Sequence, residues 1–352
     1  MVSKAKSKIA IMKYLTNIVW FTFFLLLSCS KKNEPTPEIV PVNLSVTATV
    51  SNDNSGNVEF AASATNANSY EYDFGNGIFQ IVANGNVAYK YPASGTYSVN
   101  VIAKNSNGKQ ISKSIQVIVN VSLSLIWSEE FNTAGVPDAA KWGYDIGTGS
   151  GGWGNNELQY YTNRTENAAV SNGTLKITAV KENYNGSAYT SARLLTKDKF
   201  SFKYGKIEIS AKLPMGGGTW PALWMLGSNI NTAIWPACGE IDIMEHKGNE
   251  PNKIFGTVHH PAKYGANSDG GSVVIANAAT SFHKYAVEWT AQSIKFMVDE
   301  VTFYSVANSN ALPFNQPFFI LLNVAMGGNF GGIIAPAFSS GTMEVDYVRV
   351  YQ

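Results

Sequence analysis

The run Trp235-Pro-Ala-Cys-Gly-Glu-Ile-Asp-Ile-Met-Glu-His246 sets three carboxyl side chains, Glu240, Asp242 and Glu245, within six residues. Side chains of an extended strand alternate between its two faces, so Glu240 and Asp242 share one face and Glu245 points to the other. One extra residue near Ile243 or Met244, a β-bulge, would return Glu245 to the shared face. Like charges on one strand face repel, so three acids in a row call for a reason. Cleavage of a glycosidic bond supplies one, because it needs two carboxyls astride the bond, one ionised and one protonated. With the bulge, the two glutamate Cα atoms would lie about 13 Å apart at ~3.3 Å per residue. Side chains leaning inward would close much of that gap, toward the ~5–5.5 Å of a retaining mechanism. Asp242 between them could hydrogen-bond the nucleophile and, by its charge, raise the pKa of the acid. A calcium-binding or merely solvated acidic strand would use the same residue types.

The elements that must position these carboxyls read as strands. No stretch sustains a helical period, whereas apolar and polar residues alternate repeatedly. In Lys206-Ile-Glu-Ile-Ser-Ala-Lys-Leu213, the residues Ile207, Ile209, Ala211 and Leu213 fall on one face. In Ser112-Lys-Ser-Ile-Gln-Val-Ile-Val119, the residues Ile115, Val117 and Val119 do the same. Short strands between Gly, Asn and Ser clusters predict an all-β chain of antiparallel sandwiches. Length agrees with two domains, since 352 residues is too many for one typical unit. Only 14% of residues are charged and the net charge is +1, so no overall field recruits nucleic acid. Two cysteines exclude a disulfide framework and a zinc site built on thiolates.

The surroundings of the acidic run carry a family resemblance. Glu240-Ile-Asp-Ile-Met-Glu245 resembles the E-x-D-x-x-E motif of glycoside hydrolase family 16, in the bulged form of its laminarinase branch. Gly152-Trp-Gly-Asn-Asn-Glu-Leu-Gln-Tyr-Tyr161, Thr190-Ser-Ala-Arg193 and Gly218-Thr-Trp-Pro-Ala-Leu-Trp-Met225 match as well. So do Gly256-Thr-Val-His259, Asn323-Val-Ala-Met-Gly-Gly328 and Val345-Asp-Tyr-Val-Arg-Val-Tyr351. Six further motifs in order make the resemblance specific over 127–352. It implies a β-jelly-roll sandwich with a cleft, and retaining endo-hydrolysis of β-1,3-glucan, with mixed β-1,3/1,4-glucan as a further substrate. It also implies Glu240 as nucleophile, Glu245 as acid/base, Asp242 as the helper between them, and no cofactor for catalysis. Rival readings are a glycan-binding protein that has lost catalysis, the same mechanism on a galactan of the agar or carrageenan type, and transglycosylation.

Trp220 and Trp224 stand four residues apart, hence on one strand face, and would lay flat rings against sugar in the cleft. Two core tryptophans would show the same spacing. Trp153, Trp235, Asn156 and Arg193 are further candidates for sugar contacts, and Arg193 could instead pair with a structural acid. His259 would approach the reducing-side subsites if its strand pairs beside the acidic one; a structural histidine is the alternative, and His246 and His260 read as structural. Family members with a structural calcium ion suggest Glu130, Gly173 and Asp346 as its ligands here. Val298-Asp-Glu-Val301 departs from the family's usual Asp-Gly hairpin, so Glu300 would force another turn or cost stability. Cys238 reads as a small buried hydrophobe.

Ahead of this unit, residues 44–120 resemble a PKD domain, a small immunoglobulin-like β-sandwich. Tyr70-Glu-Tyr-Asp-Phe-Gly-Asn-Gly77 and Tyr91-Pro-Ala-Ser-Gly-Thr-Tyr-Ser-Val-Asn-Val101 carry the resemblance. A spacer is the expected role; sugar binding through Tyr70, Tyr72 and Phe74 is the alternative. The first 28 residues read as a signal peptide, with Lys4, Lys6, Lys8 and Lys13 before the apolar run Ile18–Leu27. Ser28-Cys29 at its end resembles the lipobox of bacterial lipoproteins, with an uncleaved anchor as the alternative. That resemblance implies lipid on Cys29, attachment to a membrane, and a periplasmic or cell-surface location. Residues 29–43, with three prolines, read as a semi-rigid tether, and 121–352 as the catalytic unit.

Overall fold

The computed structural model describes residues 39–352, so the leader, Cys29 and most of the expected tether lie outside the described residues. Within them, alternation produces the expected all-β architecture, a jelly-roll sandwich preceded by a smaller sandwich. Among the described residues no helix is long and apolar enough to cross a membrane.

The smaller unit has a three-stranded and a four-stranded sheet between Val42 and Val119. Its core is aromatic. Phe60, Tyr72, Phe74 and Tyr91 are almost wholly buried, and the rings of Phe74 and Tyr89 stack with centroids 4.0 Å apart. Tyr72 donates its hydroxyl proton to the Gly85 carbonyl at 2.6 Å, and Tyr91 to the Phe74 carbonyl at 3.0 Å, so burial leaves neither phenol unpaired. This corrects the sugar-binding alternative. Tyr70, Tyr72 and Phe74 are all buried, because positions two apart on one strand face the same core.

The larger unit packs a ten-stranded sheet against a seven-stranded one. In the Gly205–Lys212 strand, Ile207, Ile209 and Ala211 face the space between the sheets with no exposure. Its opposite face is also covered: Glu208 is buried and accepts hydrogen bonds from Tyr347 Oη at 2.7 Å and Lys206 Nζ at 2.9 Å. The seven-stranded sheet runs in the order Asp269–Val274, Lys253–His259, Glu240–His246, Thr219–Gly227, Phe318–Met326, Arg193–Leu195, Gly143–Asp145. Leu223, Met225, Ile241 and Ile243 point from it into the shared core. Their strand neighbours therefore point out of the opposite face, and that face carries the acids. The Phe318–Met326 strand is buried at every position and pairs over nine residues with Thr219–Gly227, which makes it the rigid centre of the sheet.

One turn takes the second of the two courses expected for it. The strands Ser293–Val298 and Val301–Ala307 are still joined by a two-residue hairpin, with Val298 opposite Val301. Asp299 and Glu300 both adopt positive φ, 49° and 68°, the conformation for which Asp-Gly is favoured. Glu300 therefore takes a left-handed backbone at a cost of roughly 1–2 kcal/mol rather than forcing another turn. Lys284 holds it there by an ion pair of 2.9 Å, and Asp299 pairs with His283 at 2.7 Å.

Candidate active site

The acidic run is the strand Glu240–His246, and it carries the bulge. On one side Asp242 faces Thr257 and Glu245 faces Phe255, so Ile243 and Met244 together oppose the single residue Gly256. On the other side Trp224 faces Asp242 and Leu223 faces Met244, which leaves Ile243 as the extra residue. Ile241, Ile243 and Met244 have no exposure, and the three carboxyls line one cleft of about 900 Å³. Gly256 opposite the bulge has no room for a side chain, since a Cβ there would lie 2.6 Å from the Phe296 ring.

Each glutamate is held by a tryptophan. Trp235 Nε1 donates to Glu240 Oε2 at 2.9 Å, and Trp220 Nε1 donates to Glu245 Oε1 at 2.9 Å. One oxygen of each carboxyl is thereby fixed by an indole, which can only donate, and the other is left for chemistry. Trp224 is half-buried and also lines the cleft, with its Nε1 donating to Asn323 Oδ1 at 2.8 Å. The reading of Trp220 and Trp224 as core tryptophans is thus set aside by the structure. Arg193 does both things considered for it. It pairs with Asp145 at 3.0 Å, and its guanidinium lies 4.7 Å from the ring centroids of both Trp153 and Trp224.

His259 stands directly opposite Glu240 on the neighbouring strand. Its Nε2 is 3.1 Å from Asp242 Oδ2 and 3.8 Å from Glu240 Oε1, so it faces the carboxyls themselves. Its Nδ1 accepts the Gly265 N–H at 3.1 Å, which places the proton of a neutral ring on Nε2. Ligand atoms of Glu240, Asp242 and His259 lie within 4.8 Å of one another, close enough for a metal ion. The Gly265 N–H argues for another use: a ring whose Nδ1 is an acceptor offers a donor at Nε2, not a lone pair. His246, next to Glu245, is buried with both ring nitrogens unpartnered, and burial lowers its pKa to about 4.

Asn156 is a correction. The loop Gly152–Asn156 turns left-handed at Asn156, with φ 56°, and sends its amide to Asn329 Oδ1 at 2.9 Å. Asn155 lines the cleft in its place. Sequence reasoning also assigned no role to Glu157, Tyr264, Phe255, Asn323 or Phe330, all within or beside the cleft. Glu157 and Asn323 lie inside matched motifs, which was the available signal; the others come from separate segments with no shared pattern.

The calcium candidates flank the middle of the Ser340–Tyr351 strand, where Val345 pairs with Leu175 and Val348 with Glu129. Both Glu130 oxygens are taken by Arg349, at 2.9 and 2.8 Å. A cation there would be limited to main-chain oxygens of Glu130 and Gly173 and the exposed Asp346 carboxylate.

Comparison with known proteins agrees with this geometry. The model of glycosyl hydrolases family 16 matches residues 155–349, and a PKD domain model matches 33–120. The chain belongs to glycosyl hydrolases family 16. A Rhodothermus marinus beta-glucanase is 47% identical over 244 residues, covering 65% of this chain and 85% of that protein. A glucan endo-1,3-beta-glucosidase A1 of Niallia circulans is 40% identical over 260 residues, covering 65% of this chain but only 38% of that longer protein. Among solved structures, the laminarinase from Rhodothermus marinus has a TM-score of 0.63 at 46% identity and covers 66% of this chain and 98% of its own. LamA from Z. galactanivorans, solved with laminaritriose and laminaritetraose, has a TM-score of 0.61 at 45% identity, covering 65% of this chain and 99% of its own. Catalysis in the family requires no cofactor.

Electrostatics of this family 16 site follow from burial. Glu240 is pushed well above the ordinary carboxylate range by desolvation and by Asp242, with His259 and Arg193 pulling back. Asp242 is raised well above its ordinary 3.8 by desolvation and by Glu245. Glu245 is raised by desolvation, against the Trp220 hydrogen bond, His259 and Lys247. A folded acid that keeps its proton to higher pH than the unfolded one contributes full stability below the unfolded value, and that contribution is lost as pH rises. Asp242→Asn removes the ionisable group while keeping its shape. The variant should melt close to the wild type at about pH 3.5 and a few degrees above it at pH 7. Calorimetry across that range tests this, and a wild type that is the more stable at pH 7 would refute it.

Proposed function

We propose that this protein is a retaining endo-hydrolase of β-1,3-glucan of the laminarin type, with mixed β-1,3/1,4-glucan as a further substrate. The single observation that carries the reading is the bulge at Ile243, which turns Glu240, Asp242 and Glu245 into one aromatic-walled cleft. Glu240 attacks the anomeric carbon through its free oxygen, Oε1, while Glu245 gives its proton to the departing glycosidic oxygen. The C–O bond to the leaving sugar breaks as the bond to Glu240 forms. Glu245, now ionised, takes a proton from water, and the resulting hydroxide displaces Glu240 from the sugar, with retention overall. Asp242, whose burial favours the protonated form, would donate to Glu240 and stabilise the carboxylate that leaves in this second step. The Trp235 and Trp220 N–H groups hold the other oxygens still, so each glutamate works through one defined atom.

Relatives named beta-glucanase and glucan endo-1,3-beta-glucosidase support glucan as substrate. The cleft is apolar and aromatic around its acids, which suits an uncharged polymer. Each of the two glutamates keeps one oxygen unengaged by an indole, the arrangement a double displacement uses. Incubation with laminarin, lichenan and agarose, with analysis of released oligosaccharides, tests the assignment. Laminarin should yield a ladder of short products. Glu240→Gln and Glu245→Gln should each lower kcat by about 10²–10⁴-fold. Absence of products from laminarin, or near wild-type rates in both variants, overturns the reading.

Two further parts of the proposal rest on their own evidence. A structural calcium ion would use Asp346 with main-chain oxygens of Glu130 and Gly173. Calcium should then raise Tm in the wild type but not in Asp346→Asn; equal melting with and without chelator removes the ion from the proposal. Lipid attachment at Cys29, and with it a bacterial membrane-anchored, periplasmic or cell-surface location, rests on the pattern of residues 1–43. Radiolabelled palmitate should enter the wild-type chain in bacteria and fail to enter Cys29→Ser.

A further inference from the structure

The Trp153–Arg193–Trp224 stack is held from behind by a chain of hydrogen bonds that ends on one carboxylate. Trp224 Nε1 donates to Asn323 Oδ1 at 2.8 Å, and Asn323 Nδ2 donates to the Tyr161 hydroxyl at 3.1 Å. Tyr161 Oη in turn donates to Glu157 Oε2 at 3.1 Å, which also accepts from Gln159 Nε2 at 2.6 Å. The direction of every bond is determined. An indole can only donate, so Asn323 must turn its oxygen to Trp224 and its NH₂ to Tyr161. A phenol that accepts there passes its own proton onward, and an ionised carboxyl is the group that can only accept. Tyr161 and Asn323 are both buried, so an unanswered donor in the chain would be costly to keep.

Glu157 also closes the loop on the other side of Arg193. Its Oε1 accepts from Asn155 Nδ2 at 3.3 Å, and its own N–H donates to the Gly152 carbonyl at 3.2 Å. That loop holds Trp153 in a left-handed conformation, φ 55° and ψ 28°. A bulky residue adopts such a backbone only where its surroundings over-determine it. The Trp153 indole nitrogen is buried and has no hydrogen-bond partner, so the ring is held by packing against Arg193 and Tyr161 and by its backbone, not by a hydrogen bond of its own. One carboxylate thus reaches both aromatic faces that enclose the Arg193 guanidinium.

We propose that Glu157 is a positioning residue for glucan binding: through Tyr161 and Asn323 it orients Trp224, and through its own loop it holds Trp153. Its role is to fix the arm of the cleft formed by these rings and Arg193, not to take part in bond cleavage. This rests on the reading of the cleft as a glucan site, and the experiment separates the two. Glu157→Gln removes the acceptor-only character while keeping shape; Tyr161→Phe cuts the chain from a position with no exposure to the cleft.

Full-length protein carrying each change, and both, is assayed on laminarin. Binding of laminari-oligosaccharides is measured by calorimetry in a Glu245→Gln background. Each single change should raise KM and the dissociation constant by about 5–20-fold, with kcat altered less than about threefold. The double variant should bind no worse than the weaker single, because both cut one chain. Near-UV circular dichroism should lose the same tryptophan signal in all three, at unchanged folding by far-UV signal. Multiplicative losses in the double variant, unchanged KM and binding, or an unaltered tryptophan signal would each overturn the proposal. If the wild type neither binds nor cleaves laminarin, the functional reading fails, and the tryptophan signal alone still decides whether Glu157 positions the rings.

Discussion

Three carboxyls on one half-buried strip of one strand disfavour one another's negative charge, and this constraint shapes the centre of the molecule. The bulge at Ile243 brings them to one face of the cleft, and the apolar packing of Ile241, Ile243 and Met244 closes the strand's core side behind them. Burial raises all three titrations, which favours keeping protons on the strip. That state is what a double displacement needs before substrate arrives: one carboxyl ready to attack, one ready to donate. The energetic disadvantage is borne by a large core, in which the central Phe318–Met326 strand is buried along its whole length.

Around this strip the fold supplies donors at fixed points. Trp220 comes from the adjacent strand and Trp235 from the loop that enters the catalytic strand, yet each ends on one glutamate oxygen. His259 reaches the strip from the opposite neighbour, with its ring orientation set by the Gly265 N–H. Sheet pairing thus sets two of these directions and a loop the third. The aromatic rings of the cleft fall into two groups, with Trp224 and Trp153 beside Arg193 and Trp220 beside Phe330, ring centroids 5.3 Å apart.

What the sequence discloses depends on how local the cause is. The bulge was legible because two acids at spacing two and a third at spacing five are compatible with one face only if a residue is inserted. The buried row Ile207, Ile209, Ala211 was legible from period two alone. Asn156 was misplaced by one residue because consecutive left-handed positions in the 152–156 loop break any period that could be read. The aromatic run Tyr70, Tyr72, Phe74 has the spacing of a displayed sugar platform and of a buried strand face alike; only packing against Phe60 decides. Asn323 and Glu157 stand 166 positions apart in the chain and meet through Tyr161, so no window of sequence contains their relation. Glu300 shows the reverse case, in which a turn survives a poor residue because the strands on both sides are already paired.

Cys238 has a consequence of a different kind. It is the free cysteine of the described residues, fully buried beside Leu226 and Phe319, with its thiol pushed up to about 11 by desolvation. A thiol so placed is neither nucleophilic nor reachable by oxidants. Residues 39–352 therefore owe nothing to covalent crosslinks and carry no accessible thiol two positions from Glu240. The fold of these residues stands equally well in reducing and in oxidising surroundings.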